Sequence, residues 1–149
     1  MMVSTKGRYA LYVLIDLAEH SSPAGRYIPL TEIADRQSFS KDYVNNILKV
    51  LVANGQLASL RGKGGGYKLN RSPEAYSVGT ILRLVEGDLS PVPCVSGSNC
   101  SRAGICPTFP MWQKLDRMIT DYLDSVSLKD LIDSDTDPAT MRRPERTEI

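Results

Sequence analysis

Three cysteines, Cys94, Cys100 and Cys106, recur as C-x5-C-x5-C inside one stretch rich in Gly, Ser and Pro. Thiolates are soft ligands that suit iron–sulfur clusters and zinc. The intervening Gly97, Ser98 and Gly104 make a chain that can wrap a metal centre. Four ligands complete a zinc site or a cluster, so three thiols are one short. His20, the single histidine, closes the first predicted helix. A histidine so placed is more often a surface residue than a ligand. An oxygen donor, an open iron or a group from a second subunit are the other sources. The same cysteines also suit a zinc or thiol/disulfide switch, or three free thiols. Their odd, low number argues against a secreted disulfide scaffold and points to a reducing cytoplasm.

A second set of residues could read nucleic acid. Ser40 is a good helix N-cap, and Val44, Ile47, Leu48, Leu51 and Val52 follow at spacings i, i+3, i+4, i+7 and i+8. With that stripe in the core, the outer face holds Lys41, Asp42, Asn45, Asn46 and Lys49, with Tyr43 at the boundary. Asn can bond adenine through two hydrogen bonds, and Lys can meet guanine or phosphate. Alone, such a face is more often a solvated polar surface, and the turn and hairpin on either side are what point it to DNA. Further along, Arg61-Gly62-Lys63-Gly64-Gly65-Gly66 is a glycine run between two strand-like segments. Phosphate-cradling glycine loops need strand, loop, then helix, and this run leads into Tyr67-Lys68-Leu69 without a closing Lys-Ser/Thr. It reads instead as the tip of a hairpin. A basic side chain on a slim glycine hairpin, Arg61 or Lys63, can enter a narrow minor groove.

The elements that must hold these residues follow from periodicity. Thr5 to Glu19 is a helix, with Ala10, Leu11, Leu14, Leu17 and Ala18 at helical spacing. Ser21 to Gly25 breaks it, and Thr31–Arg36 forms a short second helix starting at Leu30 or Thr31. Ser38-Phe39-Ser40 is a turn, and the third helix runs to about Asn54 with Gly55 as its stop. Leu57–Leu60 and Tyr67–Leu69 are short strands. Helix, turn, helix and hairpin is the order of a winged helix-turn-helix. Ser77 to Glu86 is a further helix, with Val78, Ile81, Leu82 and Val85 on one face. Residues 87–108 form a long loop. A last helix starts near Pro110, where Trp112, Leu115, Ile119, Tyr122 and Val126 make a heptad-like seam. Residues 127–131 add a final turn, and the chain from Ser134 is a polar, frayed tail.

Composition is consistent with this plan. A chain of 149 residues with 42% hydrophobic residues fits one compact domain. No apolar run approaches a membrane span, and the first residues carry no signal-peptide pattern. Residues 1–71 hold ten Lys/Arg against five Asp/Glu, while residues 72–149 hold eight against twelve. That asymmetry fits a nucleic-acid-facing first half, or simply an uneven solvated surface. There is no Cys-x-x-Cys, no Cys–His pair and no carboxylate dyad, so a small redox enzyme is the remotest reading and no small-molecule substrate is expected.

Several of these stretches carry a family resemblance. Ser4-Thr5-Lys6-Gly7-Arg8-Tyr9-Ala10-Leu11, Ile33–Gln37 followed by Ser40 and Tyr43, the Arg61–Tyr67 run, Glu86-Gly87 with the cysteine loop, and Trp112 resemble the IscR/NsrR/CymR group of bacterial transcriptional regulators. The resemblance extends to about Asp133. It implies a mostly α-helical, cytoplasmic homodimer: a winged helix-turn-helix in residues 1–75, then a cysteine loop and a long dimerisation helix in 76–133 of the same unit, and a disordered tail in 134–149. The implied function is a non-enzymatic repressor of a double-stranded DNA operator, sensing iron–sulfur, nitric oxide or redox status. Its DNA contacts would be Ser40, Lys41, Tyr43, Asn45, Asn46, Lys49, Arg61 and Lys63. Cys94, Cys100 and Cys106 match the cluster-binding branch, whose cofactor is an oxygen-labile iron–sulfur cluster of the 2Fe–2S or 4Fe–4S type. The CymR branch lacks these cysteines and works by protein contact. Phe109 stands where IscR-type sequences place a histidine ligand, and Arg8-Tyr9-Ala10 where NsrR-type sequences place an acid. Asn45 replaces a glutamate that limits operator choice in IscR-type proteins, which implies a different operator preference.

Overall fold

The computed structural model describes residues 3–21, 25–97, 100–102 and 104–134. Part of the predicted break after the first helix, Ser98 of the loop and the predicted tail beyond Ser134 lie outside the described residues.

Helix α1 (Thr5–His20) starts where the Ser4 hydroxyl accepts hydrogen bonds from the Lys6 and Gly7 amides. Its spacing places Ala10, Val13, Leu14 and Leu17 on one face, and all are buried. Helix α2 (Leu30–Gln37) ends at Ser38, which takes a left-handed conformation at φ 55°. The third helix, α3 (Lys41–Ala53), is capped by the Ser40 hydroxyl accepting from the Tyr43 amide. Its buried stripe is Val44, Ile47, Leu48 and Leu51, as the periodicity predicts. Burying each such side chain stabilises the fold by about 1.5–3 kcal/mol before entropy is counted.

Strands β1 (Leu57–Leu60) and β2 (Gly66–Leu69) pair antiparallel, with Leu57 opposite Leu69 and Leu60 opposite Gly66. Ile28 adds a bridge on the other side of β2, exchanging two 2.8 Å hydrogen bonds with Tyr67. This third rung was not expected from the sequence. One isolated residue gives no alternating pattern to read. A 3-10 turn (Pro73–Ala75) leads to Tyr76, whose hydroxyl donates to the Gln56 carbonyl at 2.7 Å. That bond ties the base of the hairpin to the core.

Helix α4 (Val78–Glu86), capped by Ser77, presents Val78, Ile81 and Leu82 to the interior. The loop that follows contains a 3-10 turn (Pro93–Val95) and leads to α5 (Phe109–Ser125). The predicted final turn is a full helix, α6 (Leu128–Ser134), and Leu128 is buried in the main core. The predicted seam also changes. Val126 lies beyond the end of α5 and, with Leu123, packs against Val78, Leu82 and Leu89 of its own chain. The apolar side chains of α5 left most open are Met111, Met118 and Tyr122, on the face that Leu115 also shares. Among the described residues no helix is long and apolar enough to cross a membrane.

Candidate nucleic-acid interface and cysteine loop

The turn between α2 and α3 is held from below by a buried charge. Asp16 of α1 is fully buried and accepts from Arg36 Nε at 2.9 Å and Nη2 at 2.7 Å, and from Gln37 Nε2 at 3.0 Å. A two-point guanidinium–carboxylate pair fixes direction as well as distance. The end of α2 is thereby pinned to α1, which sets the angle at which α3 leaves the turn. Asp16 is the first acid of the chain, and its role here is structural.

On α3, Lys41, Asn46 and Lys49 are exposed, while Tyr43 and Asn45 are half-buried. Asn45 and Lys49 line a groove of about 610 Å³ between α3 and the hairpin. Its opposite wall is Arg61, Gly62, Gly65 and Gly66. The structure therefore brings three of the predicted contacts, Asn45, Lys49 and Arg61, to one surface. Lys63 stands at the exposed hairpin tip, apart from this groove, and Lys41 and Asn46 face solvent. Glycine is required in the hairpin where backbone crowds backbone. A Cβ on Gly66, at φ 149°, would meet the Ile28 carbonyl at 2.3 Å, and one on Gly65 would meet the Leu60 carbonyl at 2.3 Å.

A second cleft, of about 310 Å³, lies at the start of α3 and was not anticipated. Ser40 and Tyr43 line it with Ser38 and Phe39 of the turn and with Thr5 and Tyr9 of α1. The Tyr9 ring stacks on Phe39 at 3.7 Å and meets the edge of Tyr43 at 5.5 Å. The positive φ of Ser38 is what folds the turn tightly enough for this stacking. No local pattern in α1 signals that its first turns face the turn.

The three cysteines are free thiols. Cys94 sits half-buried in the Pro93–Val95 turn, Cys100 is exposed, and Cys106 is half-buried just before α5. The Thr108 hydroxyl, 3.3 Å from Cys106 Sγ, and the Thr108 backbone hold that thiol below the usual thiol range. Three accessible sulfurs on one loop, one already inclined to ionise, fit a soft metal or a cluster as a donor set. Among the described residues, no three Cys, His, Asp or Glu side chains are gathered into a metal-holding group. Convergence of the sulfurs therefore requires the loop to close. His20, the predicted outside candidate, turns its Nδ1 to the Asp16 carbonyl at 2.8 Å.

Comparison with known proteins bears on this arrangement. Residues 3–134 match the family model Rrf2, described as an iron-dependent transcriptional regulator. The chain is 33% identical over 134 residues to the HTH-type transcriptional regulator IscR of Erwinia tasmaniensis, covering 90% of this chain and 80% of the relative. It is 34% identical over 132 residues to IscR of Vibrio cholerae, covering 89% and 75%. Among solved structures, IscR of T. potens superposes with a TM-score of 0.71 at 33% identity, covering 97% of this chain and 94% of that one. CymR, the global cysteine regulator of B. subtilis, superposes with a TM-score of 0.73 at 32% identity, covering 92% and 99%.

Proposed function

The chain belongs to the Rrf2 family of DNA-binding transcriptional regulators, and on that premise we propose that it is a homodimeric repressor whose operator affinity is set by an iron–sulfur cluster on Cys94, Cys100 and Cys106. The observation that carries the sensing half is the placement of three free thiols on the one loop that joins α4 to α5. When bound, the cluster supplies a centre that responds to oxygen, nitric oxide or iron supply. The chain's own residues do the rest. Asn45 and Lys49 face base edges and backbone from α3, and Arg61 faces them from the hairpin across the same groove. Lys63 extends the hairpin tip toward the minor groove, while Ser40, Lys41, Tyr43 and Asn46 dock the start and outer face of α3.

The dimer is argued from α5. Met111, Met118 and Tyr122 are 49%, 60% and 68% exposed, a run of large apolar side chains on one helix that a second copy would cover. Residues 1–75 form the reading head and residues 76–133 the sensing and pairing part. A second reading rests on the same observation: three free thiols on this loop also suit a zinc or thiol/disulfide switch.

One preparation separates the two. Purified without oxygen, the chain is expected to absorb in the visible and to contain iron and sulfide, and Cys100→Ala to lose both. A colourless chain without iron after reconstitution would leave the zinc or thiol switch.

A further inference from the structure

Glu86 is the last residue of α4, immediately before the cysteine loop begins at Gly87. Its carboxylate does not face the loop. It reaches the start of α1, 82 residues away along the chain at Ser4. There Oε1 accepts from the Ser4 amide at 3.0 Å, the Ser4 hydroxyl at 2.6 Å and the Gly7 amide at 2.9 Å. The first turn of α1 contains no acidic residue of its own. Glu86 supplies from outside the negative charge that a helix N-terminus favours. The seat is cut for it: a Cβ on buried Gly7 would lie 2.2 Å from Glu86 Oε1.

The same turn of α1 carries Thr5, and the next carries Tyr9. These two side chains form one wall of the cleft at the start of α3. Tyr9 stacks on Phe39 and abuts Tyr43, the residues that flank the Ser40 cap. A chain of direct contacts therefore runs from the loop boundary through Glu86, the α1 start and Tyr9 to the first turn of the reading helix. The same last turn of α4 is also held to α5, by Arg83 on Asp124 at 2.5 Å.

We propose that Glu86 is a positioning residue for DNA binding, seating the first turn of α1 and, through Tyr9, the start of α3. It thereby links the cysteine loop to the reading head. This rests on the reading of α3 as the DNA-facing helix. The test uses full-length, metal-free chains and a duplex that the wild type selects from a randomised library. Affinity is measured at a temperature where circular dichroism shows each variant folded. Glu86→Ala is expected to weaken binding about tenfold, within the range of indirect coupling. Glu86→Gln, whose Oε1 can still accept from Ser4 and Gly7, is expected to stay within about threefold. Gly7→Ala keeps the carboxylate but denies it its seat, so it should behave like Glu86→Ala. It carries the test alone if Glu86→Ala fails to fold. Amide exchange at Tyr43 to Asn46 should rise in Glu86→Ala. A folded Glu86→Ala or Gly7→Ala that binds like wild type, with unchanged exchange there, would overturn the proposal and make Glu86 a stability cap alone. If Asn45→Ala and Arg61→Ala leave binding intact while Glu86→Ala still weakens it and raises exchange at Tyr43 to Asn46, the contact assignment has failed and the positioning role stands.

Discussion

Arg61 and Asn45 face each other across one groove from separate elements, so each is expected to contact the duplex on its own account. Arg61→Ala and Asn45→Ala should each weaken operator binding by about 1–3 kcal/mol, and Asn45→Ala should also relax base preference at one position. Losses under about 1 kcal/mol in both, by fluorescence anisotropy, would remove them from the interface. Lys63, exposed at the hairpin tip, should act through phosphate. Lys63→Ala is expected to weaken all duplexes alike and to lower the salt slope by about one. The types and rough placement of these side chains are legible in the sequence, because helical periodicity assigns a face and a glycine run marks a tip. The half-burial of Asn45 is not, since it depends on how close the hairpin stands. The contact of Glu86 with the start of α1 is illegible for a different reason. Its partners Ser4 and Gly7 lie about eighty residues away, and no local pattern spans that distance.

Between elements, the Asp16–Arg36–Gln37 junction is the contact on which the angle of the turn depends. Asp16→Ala would leave Arg36 only its 3.4 Å contact with Glu32 and would leave Gln37 without this acceptor, and breaking such a pair costs about 3–5 kcal/mol when it is fully buried. Arg36 is 29% exposed, so the lower end, about 3 kcal/mol, is expected in urea unfolding. Retained stability in Asp16→Ala would show that the junction is not what holds α2 to α1. In the hairpin, Gly66→Ala is expected to break the Ile28–Tyr67 bridge, because the new Cβ would meet the Ile28 carbonyl at 2.3 Å. Loss of amide protection at Ile28 and Tyr67 would report it. Helices α1, α3 and α4 were readable because each carries a serine cap and an apolar stripe: Ser4, Ser40 and Ser77 at the starts, and four buried residues on α3 alone. What escaped reading was of two kinds. The lone Ile28 rung is made by pairing with a distant strand, whereas α6 carries a local start signal, the reciprocal Ser127–Asp130 cap, that apolar periodicity does not show.

For the whole molecule, the proposed dimer and the proposed sensor rest on the uncovered face of α5 and the loop that precedes it. Met118→Glu with Tyr122→Glu should shift a dimer to monomer in sedimentation at micromolar concentration, and operator affinity should fall with it. Val126, the last residue of the predicted seam, is claimed by the chain's own second core, while Tyr122 stays on the open face. Periodicity shows that a helix is two-sided, but not which side its own chain covers. The central claim is that the cysteine loop and the reading head share one equilibrium. The most direct measurement compares affinity for one selected duplex between the metal-free chain and the chain reconstituted with iron and sulfide, in wild type and in Cys100→Ala. Coupling of about 1–3 kcal/mol predicts a difference of about five- to 150-fold in wild type and none in Cys100→Ala. Equal affinities for the two wild-type forms, with the cluster present by its visible absorption, would contradict it.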